Sequence, residues 1–62
     1  MTNRPSWRKI EAALTDIARS YGWLVEEQYH KHQRTGDRLA VHPNGQEIAN
    51  ITDLARELEQ KL

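Results

Sequence analysis

Residues 22–45 read GWLVEEQYHKHQRTGDRLAVHPNG, and this stretch decides the fold. After Gly22 the side chains alternate: Trp23, Val25, Glu27 and Tyr29 share one face, and Leu24, Glu26, Gln28 and His30 the other. A period of two carrying two aromatics and a valine predicts a strand. Residues 30–37 hold no apolar side chain and include Gly36, so they predict a polar hairpin loop. Residues 38–42 predict a second short strand, stopped by Pro43-Asn44-Gly45. Asn-Gly is a strong hairpin signal because both residues tolerate positive φ. Residues 46–50 predict a third strand, weakly apolar and suited to an edge.

Upstream, Trp7, Ile10, Leu14, Ile17 and Tyr21 fall at steps of three and four, one helical stripe widened by Ala13 and Ala18. Pro5 and Ser6 suit a first turn, where proline has no amide to lose and serine can cap. Gly22 suits a left-handed exit, so a helix is predicted over about residues 5–21. Downstream, Ile51, Leu54, Ala55, Leu58 and Leu62 form a second stripe, with Asn50 or Thr52 available as caps and Asp53 near the positive end of the dipole. Glu57 and Lys61 make a favourable i,i+4 pair. The expected fold is α+β, one domain over residues 1–62, ordered α-β-β-β-α. Its three-stranded antiparallel sheet would carry both helices on one face. The expected core is Trp7, Ile10, Leu14, Ile17, Trp23 or Leu24, Val25, Leu39, Val41, Ile48, Ile51, Leu54 and Leu58, with the other sheet face open to solvent.

The chain has 62 residues, nine acidic and nine basic side chains, and no cysteine. A chain this short buries only about 60% of its unfolded surface and is marginally stable. Without cysteine there is no disulfide framework, thiol nucleophile or cysteine-bound zinc, and a reducing cytoplasm is the expected location. No apolar run approaches the roughly 20 residues a bilayer span needs, so no membrane is expected. The zero net charge hides a pattern. Residues 1–10 carry three cations (Arg4, Arg8, Lys9), residues 11–29 net minus three, residues 30–38 net plus two beside two histidines, and the remainder net minus two.

The opening amphipathic helix closed by Gly22-Trp23, the strand after it, and the second strand ending in His42-Pro43-Asn44-Gly45 resemble the double-stranded-RNA-binding-domain architecture. More specifically they resemble HicA-type toxins, small mRNA interferases on that fold; the resemblance spans about residues 8–50. It implies an αβββα fold and affinity for RNA. The family's catalytic histidine stands in a Gly-Ser-His motif about five residues before the His-Pro turn. Here that stretch is Thr35-Gly36-Asp37-Arg38, and the position falls on Asp37. A carboxylate does not act as both base and acid near neutral pH as imidazole does, so the resemblance carries over fold and RNA affinity rather than nuclease chemistry. The start of the second helix, Thr52-Asp53-Leu54-Ala55, also lacks the family's lysines, which disfavours reading of an RNA duplex.

The residues expected to contact nucleic acid are Lys31, His32, Arg34, Arg38 and His42 with Arg4, Arg8 and Lys9. Their cations would project into water around residue 34 and, beside Tyr29, suit a single-stranded backbone. His30 and His32 with His42 have a spacing that can chelate a metal, but the simpler reading is a solvated loop, and neither metal nor cofactor is expected. Trp7 and Trp23 read as packing rather than ligand platforms. The expected role is a non-catalytic, RNA-favouring regulatory module. A protein-interaction module docking through its open sheet face is the second reading, and a HicA-like interferase using His32 or His42 the third.

Overall fold

In the computed structural model, which describes residues 5–62, the chain forms α1 (Trp7–Ser20), β1 (Leu24–Glu26), β2 (Tyr29–His30), β3 (Gln33–Arg34), β4 (Leu39–Val41), β5 (Glu47–Asn50) and α2 (Ile51–Lys61). The main sheet is the expected antiparallel meander, ordered β1-β4-β5. Leu24 pairs with Val41, Val25 with Ala40 and Ala40 with Ala49, so Val25, Ala40 and Ala49 form one row facing the helices. The expected loop contains a further element, the β2-β3 hairpin, with Tyr29 opposite Arg34 and His30 opposite Gln33. Its two-residue turn places Lys31 at φ 50° and His32 at φ 69°. Both residues at positive φ is the backbone of a type I′ turn, normally Asn-Gly, and here built from residues that resist it.

The helix ends follow local chemistry, with one exception. Gly22 leaves α1 at φ 81° and Gly45 takes φ 96° in the β4-β5 turn, where Asn44 Oδ1 accepts from Gln46 N at 2.9 Å. Asn50 caps α2 by accepting from Asp53 N at 3.0 Å. Ser6 occupies the N-cap of α1, but its side chain makes no capping bond. The first amide is satisfied from the other helix instead: Trp7 N donates to Glu59 Oε2 at 2.7 Å, a carboxylate at the positive end of the α1 dipole. This bond and the one from Thr52 to Glu11 run the two helices antiparallel.

The core differs from the one expected. Ala18, Ala40, Val41, Ile51 and Ala55 are the buried hydrophobics, with Leu14, Trp23 and Val25 partly buried against the Ala18–Ala40–Ile51 cluster. Ile17, Ile48, Leu54 and Leu58, all expected inside, are exposed, and of the alternatives Trp23 and Leu24 it is Trp23 that turns inward. The buried face of α1 is Glu11, Thr15 and Ala18. At about 100° per residue this face lies roughly 100° around the helix from the row Ile10, Leu14, Ile17 and Tyr21. The helix turns that way because Glu11 and Thr15 find polar partners inside, and burying a carboxylate without them would cost several kcal/mol, about as much as the whole domain's stability.

Candidate nucleic-acid interface

The polar interior is built around Glu11, whose side chain is 4% exposed. Glu11 Oε1 accepts from Arg34 Nη1 at 2.8 Å, and Arg38 Nη1 lies 3.6 Å away. Glu11 Oε2 accepts from Thr52 Oγ1 at 2.5 Å, and Thr52 Oγ1 in turn accepts from Arg38 N at 2.9 Å. Arg38 Nη1 donates to Thr15 Oγ1 at 3.3 Å, and Thr15 donates to the Glu11 carbonyl at 2.8 Å. One carboxylate thus ties α1, β3, the approach to β4 and α2 together. Burial pushes its pKa up, but hydrogen bonds from Arg34 and Thr52 and the charges of Arg34 and Arg38 outweigh burial and hold it below the ordinary value. The same contacts raise Arg34 above its ordinary value, against the opposing effect of its own burial.

Arg38 also reaches Glu27, its Nε 2.6 Å from Glu27 Oε1. That N–H has no aligned acceptor, so the contact is charge against charge rather than a directed hydrogen bond. Tyr29 donates its hydroxyl to Glu27; this bond, more than the nearby arginines, lowers the Glu27 pKa, and it raises that of Tyr29.

These contacts correct one expectation. Arg34 and Arg38 do not project freely into water: each side chain is 24% exposed and anchored by internal carboxylates. Lys31 and His32 do project, at the exposed hairpin turn. His42 lies at the far end of β4, where its Nδ1 accepts from Asn44 N at 3.1 Å and its carbonyl accepts from Gly45 N at 2.7 Å. It serves the β4-β5 turn and does not join the other candidates. Lys9 is exposed on α1, and Arg4 lies outside the described residues. Among the described residues no three His, Asp or Glu side chains are grouped to hold a metal ion, and no helix is long and apolar enough to cross a membrane.

The fold nonetheless joins the two basic segments. A cleft of about 460 Å³ is lined by Trp7, Arg8, Arg34, Thr35, Gly36, Asp37 and Arg56. The guanidinium carbon of Arg8 stands 5.4 Å from the Trp7 ring centroid and that of Arg56 4.8 Å, so both cations rest against the indole. Asp37 is the acidic member of the lining, and it accepts from Asn50 Nδ2 at 3.1 Å. No protein-family model, curated protein or solved structure matches this chain. Arg56 and Trp7 are the site residues that sequence reasoning missed. The available signal was the antiparallel return of α2, which sets its C-terminal half beside the start of α1.

Proposed function

We propose that this chain is a small non-catalytic nucleic-acid-binding module, favouring single-stranded RNA, that seats a backbone phosphate in the cleft between Arg8, Arg34 and Arg56. The observation that carries the reading is the convergence there of one cation from the N-terminal segment, one from the hairpin and one from α2 against the Trp7 ring. Arginine forks suit phosphate oxygens, and guanidiniums held on an indole lose little freedom when they bind. Lys31 and His32 at the hairpin turn extend the contact along the strand. The reading is non-catalytic because no histidine lines the cleft to serve as acid and base. Asp37 inside the cleft and the pairing of Arg34 with Glu11 reduce the charge available, so affinity is modest.

Fluorescence anisotropy with a labelled single-stranded RNA of about ten nucleotides tests this. Binding in the micromolar range is expected at low salt, falling as salt rises with a slope for about two phosphates. Arg8→Gln with Arg56→Gln should weaken it about tenfold or more without unfolding the domain. Absence of binding at low salt, or binding indifferent to those two charges, rejects the proposal. The same titration separates it from a protein-interaction module, which the exposed Leu24 and Ile48 favour and which would show no salt-dependent RNA binding.

A further inference from the structure

The helix pair leaves apolar side chains uncovered, and this surface is separate from the arginine cleft. Ile17 is 51% exposed, Leu54 41% and Leu58 38%, with Ile10 and Leu14 partly exposed beside them. On each helix the apolar row is rotated in the same sense from the side that meets the other helix, as judged at about 100° per residue. For antiparallel helices that places both rows on one side of the pair.

We infer that this side docks a second copy of the chain, α1 of each copy lying antiparallel on α2 of the other in a four-helix arrangement. Three observations favour a second copy over another occupant. The rows expose on the order of 300 Å² of apolar surface per chain, a small patch that suits a weak, reversible self-contact rather than a permanent interface. The chain has zero net charge, so copies do not repel one another at long range. The rims are also self-complementary. In this arrangement the level at which Trp7 meets Glu59 brings exposed Lys9 of one copy to exposed Glu57 of the other, twice by symmetry. Among the described residues Glu57 pairs with Lys61, at 3.8 Å and largely in water, a pair easily exchanged. At that level Ile10 seats between Leu54 and Leu58 of the second copy, and Leu54 between Ile10 and Leu14, as in the apolar seams of helix bundles.

Sedimentation equilibrium of the full chain without nucleic acid, over about 1 to 500 µM, should show a monomer–dimer equilibrium with a midpoint in the tens of micromolar. Leu54→Lys should weaken it about tenfold or more while far-UV circular dichroism is retained. Lys9→Glu should weaken it too, and Lys9→Glu with Glu57→Lys should restore it; this charge exchange at exposed positions decides the matter even if Leu54→Lys disturbs folding. A constant monomer mass across the range overturns the inference. So does a dimer indifferent to Leu54→Lys, or a charge exchange that restores nothing. RNA binding by a strictly monomeric protein would leave the proposed function standing while removing the dimer.

Discussion

At the scale of single residues, Glu11 matters most to stability. It is a buried anion with two arginines and a threonine hydroxyl around it, and its neighbours depend on it as much as it depends on them. Removing one partner from such a group leaves the others desolvated and unpaired, typically a cost of 3–5 kcal/mol. A domain of about 60 residues has little more than that in total. Glu11→Ala is therefore expected to be largely unfolded at 25 °C by circular dichroism, whereas Glu11→Gln keeps the shape and some hydrogen bonding and should fold with a lower urea midpoint. Wild-type stability in Glu11→Ala would show that the network contributes nothing. Arg34 belongs to the same network and to the cleft, so its substitution should lower stability and binding together. Arg8 and Arg56 are exposed and in no ion pair among the described residues, so theirs should lower binding alone.

At the scale of elements, the β2-β3 hairpin carries an avoidable strain. Lys31 and His32 both sit at positive φ, which costs side-chain-bearing residues on the order of 1 kcal/mol each. Lys31→Asn with His32→Gly supplies the residues a type I′ turn prefers and should raise the urea-derived stability by about 1 kcal/mol. A fall in stability would mean that the turn backbone differs from this one. The hairpin also shows what the sequence could not reveal. The order of helices and strands was legible because the period changes from 3.6 to 2 at Gly22 and the Asn44-Gly45 turn is unambiguous. The extra hairpin was not, since its strands are two residues long and its turn lacks glycine. The rotation of α1 was hidden for a different reason. Glu11 and Thr15 read as solvent-facing until Arg34, Arg38 and Thr52 are known to meet them, and those partners lie 23 to 41 residues away in the chain. The cleft was half legible: Arg8 and Arg34 were visible as basic residues, but only the antiparallel helix pair adds Arg56 and turns Trp7 into their support.

At the scale of the whole molecule, two kinds of charge respond differently to solution conditions. Arg8 and Arg56 of the cleft face water, so salt should weaken RNA binding, while the ion pairs around Glu11 are screened much less and neutral-pH stability should change little with salt. Acid acts the other way, on the interior. Glu11 and Glu27 both have folded-state pKa values lowered from the ordinary 4.5, so below that value the unfolded chain binds more protons than the folded one. Their contribution to stability is then fully present above about pH 4.5 and is lost as pH falls through the depressed values. Urea denaturation at several pH values between about 7 and 3 should show stability falling below about pH 4.5. In Glu11→Gln the fall should be shallower, because one of the two titrating carboxylates is gone while Glu27 remains. A stability unchanged to pH 3, or an equally steep fall in Glu11→Gln, would mean that the buried carboxylate is not held ionised by its arginines, and the interior built on it would need another account.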